Sequence, residues 1–147
     1  MIIICPYNEK HIPYDLLLDA DPEKSNVDNY LSLGILFGAY EDGKLIGVYI
    51  IIEKENHIFE LVNLAVKEAH RKKGIGSILI NHAENQAKLL GGKYMEIGTG
   101  FPLVPYYEKR GYIYHKTIKN FFVDNYSAPV IDNGILLKDM DVLRKEI

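Results

Sequence analysis

Residues Glu60 to Gly76 read ELVNLAVKEAHRKKGIG, and this stretch decides the fold. Ile58 just ahead of it, then Leu61, Val62, Leu64, Ala65 and Val66, form a nearly continuous apolar run broken only by Glu60 and Asn63. That pattern predicts a strand covered on both faces. Arg71, Lys72 and Lys73 follow, leading into Gly74 and Gly76. Beyond them Ile75, Leu79, Ala83, Ala87 and Leu90 share one helical face opposite Ser77, Asn81, Glu84 and Lys88, which predicts a long amphipathic helix. The first amides of a helix lack intrahelical partners, and the helix dipole adds about half a positive charge there, so a basic glycine turn at this point suits a phosphate. Glycine also lets an anion approach the backbone closely.

Spacing narrows the choice of phosphate ligand. A P-loop needs two glycines followed by Lys and Ser or Thr, and a dinucleotide turn needs a third glycine where Leu79 stands; the chain has neither. Arg71-Lys72-Lys73-Gly74-Ile75-Gly76 instead resembles the Arg/Gln-x-x-Gly-x-Gly/Ala pyrophosphate loop of the GNAT superfamily, the acetyl-CoA-dependent N-acetyltransferases. Downstream, Val104-Pro105-Tyr106-Tyr107-Glu108-Lys109-Arg110-Gly111-Tyr112 looks like that family's (Phe/Leu)-Tyr-x-Lys-x-Gly-(Phe/Tyr) segment, in the right order.

Working outward, Met1 to Cys5 reads as an edge strand ended by Pro6, and Ile12 to Leu18 as a short helix with Pro13 in its first turn. Asp21 and Pro22 look like the N-cap and first position of a second helix that stops near Gly34. Ile35 to Tyr40 and Leu45 to Glu53 form a hairpin about Asp42-Gly43, and a second hairpin through Lys54 to Asn56 leads into the strand His57 to Val66. Gly91-Gly92 stop the long helix ahead of a strand at Lys93 to Ile97, a strand-helix-strand order that favours a parallel pair. Pro102 to Lys109 is a short helix closed by Gly111; Tyr112 to Val123 and Ile135 to Val142 are two closing strands around a turn-rich stretch. The expected fold class is α/β with a mixed sheet flanked by helices, and the order is similar to a complete GNAT domain over residues 1 to 147.

The resemblance implies roles. Main-chain groups of Leu64, Ala65 and Val66 would meet pantetheine, the amides of Arg71 to Gly76 (Ile75 included) would cradle the pyrophosphate, and Arg71 with Lys72 or Lys73 would lend charge. Glu60, six residues before Val66, stands where some members place a general base. An amine of pKa about 10.4 costs about 4 to 5 kcal/mol to deprotonate at pH 7, and burial beside Val62 and Leu64 would raise the basicity of Glu60 toward that task. A strand-end carboxylate paired with a lysine is the competing reading.

Tyr107 matches the family tyrosine that approaches the CoA sulfur. Proton transfer from a phenol to a thiolate is uphill by about 2 kcal/mol, so a hydrogen bond to the leaving thiolate matters at least as much as proton donation. Tyr106 is assigned to the core, since adjacent helical positions point to different sides. Asn63, Phe122 and Tyr126 are candidate walls of the acceptor site, with structural packing as the alternative. The Thr99-Gly100-Phe101-Pro102 loop lacks an asparagine found in the similar bacterial subgroup, so a side-chain contact to pantetheine is not expected there.

Composition agrees with an ordinary globular protein. The 147 residues suffice to bury roughly 70% of the unfolded surface, and 48% apolar with 25% charged residues is unexceptional. A net charge of −3 argues against a nucleic-acid partner and tolerates a cationic amine. One cysteine, Cys5, and five scattered histidines suggest neither disulfide nor metal. No apolar run reaches membrane-span length, so no membrane partner and a cytoplasmic setting are expected. The cofactor implied is acetyl-CoA, and the acceptor a small-molecule or peptide amine. A non-catalytic acyl-CoA-binding domain and a nucleotide binder stay open as competitors, as does the oligomeric state, a homodimer included.

Overall fold

The computed structural model describes residues 1–147. Strand β1 (Ile2–Pro6) precedes the helix pair α1 (Tyr14–Ala20) and α2 (Lys24–Leu33). Strands β2 (Ile35–Glu41), β3 (Lys44–Glu55) and β4 (Ile58–Val66) follow, and then the long helix α3 (Ile75–Leu89). The remainder is β5 (Tyr94–Thr99), α4 (Val104–Glu108), β6 (Ile113–Ile118), α5 (Phe121–Asp124), a small hairpin β7 (Ile131–Asp132) and β8 (Ile135–Leu136), and β9 (Met140–Glu146). Seven strands form one mixed sheet in the order β1-β2-β3-β4-β5-β9-β6, antiparallel except for the β4 and β5 pair. The α/β reading and the parallel crossover through α3 are thus met.

Sequence explains the elements that came out as expected. Asp42 and Gly43 take left-handed φ values of 51° and 77°, the geometry of a tight hairpin turn. Ile75, Leu79, Ala83 and Ala87 bury the inner face of α3 against Phe37, Tyr49, Phe59 and Ile97, forming the main core on one side of the sheet. On the other side α1 and α2 supply Leu16, Leu17 and Val27 against Val48, Ile50 and Ala65.

Two features position the site. The first is a fork. Strands β4 and β5 pair only at Ile58 to Glu60 with Tyr94 to Glu96; beyond that β4 stays with β3 and β5 with β9, so the sheet opens between them. The second is a pair of bulges between β3 and β4. Ile50 faces Asn63 and Ile51 faces Leu61, which leaves Val62 as an extra residue; Glu53 faces Phe59 and Glu55 faces Ile58, which leaves Lys54 as another. A bulge re-aims the side chains beside it. Phe59 and Leu61 pack into the α3-side core, whereas Val62 and Ala65 pack on the α1/α2 side.

Three expectations need correction. Helix α2 begins at Lys24, not Pro22, and its N-cap is Glu23. The Asp21 carboxylate does accept the Glu23 N–H at 3.2 Å, but it is drawn inward by the Tyr30 hydroxyl (3.1 Å) and lies buried, so the helix starts later. The strand expected from Tyr112 to Val123 stops at Ile118, because Asn120 turns left-handed (φ 58°) and Phe121 starts α5. The last strand is β9, beginning at Met140 instead of Ile135; the segment before it folds back as the β7 and β8 hairpin through Asn133 and Gly134, both of positive φ.

Candidate functional site

The loop between β4 and α3 surrounds a cavity of about 430 Å³ lined by Val66, His70, Arg71, Lys72, Gly74, Ile75, Gly76, Ser77, Tyr106 and Arg110. Its backbone curls through left-handed residues at Lys72 (φ 62°) and Gly74 (φ 78°), and Gly74 caps α3. That curl leaves the first amides of α3 at the cavity, the arrangement that receives an anion. A Cβ on Gly76 would come within 2.8 Å of the Tyr106 hydroxyl, so a larger residue there would push that ring end aside.

The cations divide unevenly. Arg71 donates from Nε to the Val66 carbonyl (3.0 Å) and pairs through Nη2 with Asp19, tying the loop to the end of α1. Lys72 lines the cavity, whereas Lys73 is exposed and does not. Arg110, which the sequence names only as a member of the Val104 to Tyr112 segment and without a role, joins this cavity. Its guanidinium lies 3.6 Å above the Tyr106 ring and donates to Ser77 Oγ (2.6 Å) and to the Tyr106 carbonyl (2.7 Å). Tyr106 therefore walls this cavity instead of filling the core. Successive residues sit about 100° apart on a helix, so with Tyr107 turned into the core beside Tyr112, Tyr106 lies over the loop.

From this cradle the fork leads inward. Lys67 N–H donates to the Ile46 carbonyl on β3 (2.8 Å), so by the alternation of a strand the main-chain groups of Ala65 face β3 and those of Leu64 and Val66 face the gap toward β5. They are unclaimed by any strand there, apart from the Val66 carbonyl that Arg71 occupies. The Ala65 side chain is core.

A second, larger cavity of about 960 Å³ opens on the α1/α2 side of the fork. Glu60, Asn63, Leu64, Tyr107, Phe122 and Tyr126, distant in sequence, all line it. Burial raises the Glu60 carboxyl above the usual carboxylate range; Lys54 opposes that rise, Glu96 adds to it and Lys116 opposes it. Burial also pushes the Tyr107 phenol up to about 12, with Tyr106 adding and Arg110 opposing. Besides Asp19, which Arg71 takes up, the carboxylates of Asp21, Glu60 and Asp132 face one ammonium, Lys54, so the chamber tends to favour a cationic guest.

Asn63 is 4% exposed and holds a fixed orientation. Its Nδ2 donates to the Leu17 carbonyl (3.0 Å) and to the Tyr30 hydroxyl (2.8 Å), and Tyr30 donates onward to Asp21. Its Oδ1 is buried without a partner, a state that costs about 1 to 3 kcal/mol. Behind Glu60, Glu96 receives Lys54 Nζ on one oxygen (2.8 Å) and the Arg144 guanidinium on the other (2.8 and 2.5 Å). Neither this cluster nor the Asp21 network carried a sequence signal, since its members come from separate strands and helices.

Residues 5–112 match the acetyltransferase (GNAT) family. The uncharacterized N-acetyltransferase YvbK of Bacillus subtilis is 40% identical over 130 residues, covering 86% of this chain and 84% of that protein. Among solved structures, a GNAT family acetyltransferase from Elizabethkingia anophelis with acetyl-CoA bound superposes with a TM-score of 0.95 at 38% identity, over 99% of this chain and 98% of that one. An IAA acetyltransferase from Bacillus cereus gives 0.93 at 33% identity over the whole of both chains. A Bacillus subtilis acetyltransferase in complex with CoA gives 0.91 at 36%, over 100% and 99%. The chain belongs to the GNAT family of acetyltransferases, acetyl-CoA-dependent N-acetyltransferases.

Proposed function

We propose that this enzyme moves the acetyl group of acetyl-CoA directly to the amine of a small molecule or peptide, with residues 1 to 147 acting as one catalytic domain. The observation that carries this is the fork between β4 and β5, with an anion cradle at its outer end and Glu60 and Tyr107 on one cavity at its inner end. The amides of Gly74, Ile75 and Gly76, with Lys72 and Arg110, hold the pyrophosphate. The Leu64 and Val66 main chain faces pantetheine in the gap. The acceptor enters through the acidic chamber walled by Asn63, Phe122 and Tyr126. Glu60 takes a proton from its ammonium, directly or through one water, and the freed nitrogen attacks the thioester carbonyl. As the C–S bond breaks, Tyr107 hydrogen-bonds the departing sulfur, and the second nitrogen proton ends on the thiol.

Release of CoA across a panel of primary amines, including putrescine, tyramine and a lysine-containing peptide, with mass detection of the acetylated product, tests this reading. Turnover with at least one amine is the expected result. Tight CoA binding with no amine acetylated would replace it by a non-catalytic acyl-CoA-binding domain.

A further inference from the structure

The fork closes on two carboxylates set side by side, Glu60 of β4 and Glu96 of β5, which are partners in the parallel register. A buried carboxylate and a half-buried one in adjacent positions repel, so the arrangement needs cations. Arg144 of β9 takes one oxygen of Glu96 through two donors, at 2.8 and 2.5 Å. Lys54 takes the other at 2.8 Å, and the same ammonium stands 3.8 Å from Glu60 Oε1. Lys54 is the extra residue of its bulge on β3, the irregularity that lets it stand beside this pair. If neutralising Glu96 were its whole task it would be redundant, because the guanidinium already balances that charge. Its remaining interaction is with Glu60, whose side chain is 21% exposed beside a lysine 29% exposed, so water screens the pair only in part.

We propose that Lys54 is a positioning residue for Glu60: anchored on the Glu96–Arg144 pair, its ammonium holds the Glu60 carboxylate ionised and aimed across the fork. The inference rests on the reading of Glu60 as the base. Four charged groups surround that carboxylate from the packed strands: Lys54 from β3, Glu96 from β5, Lys116 from β6 and, behind Glu96, Arg144 from β9. Burial tends to keep Glu60 protonated and Glu96 reinforces that; Lys54 is foremost among the groups that oppose it. The device leaves Glu60 a stronger base than an exposed carboxylate while keeping it empty of its proton when the ammonium arrives.

The test is a carboxyl carbon NMR titration of the CoA-saturated protein labelled at glutamate Cδ, with the Glu60 signal identified by its loss in Glu60→Gln. Lys54→Met is expected to move the Glu60 midpoint upward by about one pH unit. Lys54→Arg, which keeps the charge, leaves it near the wild-type position. Glu96→Gln removes a negative neighbour and moves it the opposite way, downward. The acidic limb of kcat/KM for the fastest amine of the panel shifts in the same directions. A midpoint unmoved in Lys54→Met would overturn the proposal, whatever Glu96→Gln does. Should Lys54→Met fail to fold, as its circular dichroism would show, Lys54→Gln decides in its place: an upward shift supports and a fixed midpoint refutes. If Glu60→Gln itself leaves the acidic limb in place, the base assignment fails instead, whatever the Lys54 variants do.

Discussion

Glu60 and Asn63 stand three residues apart on one strand and open onto the same cavity, because Val62 between them is the extra residue of a bulge. In a regular strand that spacing sends two side chains to opposite faces. The irregularity brings Glu60, the proposed base, and the Asn63–Tyr30–Asp21 network to one chamber, so on that proposal proton removal and acceptor recognition share a wall.

Glu60→Gln tests the base directly. Removing it is expected to lower kcat/KM for the amine by about 10² to 10⁴-fold while leaving acetyl-CoA binding intact. Stability moves the other way. Burial raises this carboxyl, so ionisation is a cost in the folded state: its stabilising contribution is full below the ordinary value of 4.5 and is lost as pH rises through the raised one. At neutral pH the Gln variant should melt at or above the wild-type temperature, as differential scanning calorimetry would read.

Tyr107→Phe separates a hydrogen bond to sulfur from packing. The ring stays in the core against Tyr112, so the melting temperature should hold. Loss of the hydroxyl is expected to cut kcat by about 100-fold with little change in KM for acetyl-CoA. A poorer leaving group makes the sulfur's need greater, so steady-state rates with a thioester of lower thiol pKa should recover part of the loss.

Arg110→Ala removes the guanidinium stacked on Tyr106 and bonded to Ser77. KM for acetyl-CoA should rise by about tenfold or more, the worth of one charge-assisted hydrogen bond. Because the lost contact is electrostatic, the gap between variant and wild type should narrow as salt rises. An isothermal titration series with CoA and dephospho-CoA at two ionic strengths would show it.

Glu96→Ala is the variant expected to unfold most readily. Glu96 is 2% exposed, and deleting it leaves Arg144 without its carboxylate and Lys54 with only Glu60, 3.8 Å away. Both partners keep some contact with water, so the loss should be about 3 kcal/mol, the lower end for a broken buried pair. Burial alone would raise this carboxyl, but the bonds from Lys54 and Arg144 outweigh it and hold it below its ordinary 4.5. Its contribution is therefore full above 4.5 and fades as pH falls through the lowered value, so wild type and variant should converge in acid melts.

What could be read from the chain was local. The Asp42-Gly43 turn, the apolar face of α3 and the Arg71 to Gly76 loop each follow from neighbours in sequence, and the loop's resemblance carried the donor chemistry with it. What escaped was assembled over distance. Lys54, Glu96 and Arg144 meet only because β3, β4, β5 and β9 lie in succession across the sheet, and Arg110, just past α4, reaches Ser77 at the start of α3. The closing strand was misplaced because Ile135, Leu136 and Leu137 are as apolar as Val142 and Leu143, while the charged Arg144, Lys145 and Glu146 look unlike strand interior. Two of those charges are taken up by Glu96 and Glu84, which no local pattern announces.

The three-residue seam joining β4 to β5 has a mechanical consequence. It makes the sheet two ribbons, β1 to β4 and β5 with β9 and β6, hinged at Glu60 and Glu96. A donor lying in the cleft as proposed, and touching both sides, would serve as the missing rung. Amide protons of Leu64 and Val66 should then exchange with solvent quickly in the empty protein and slowly once the rung is in place, so that the substrate completes the architecture that acts on it.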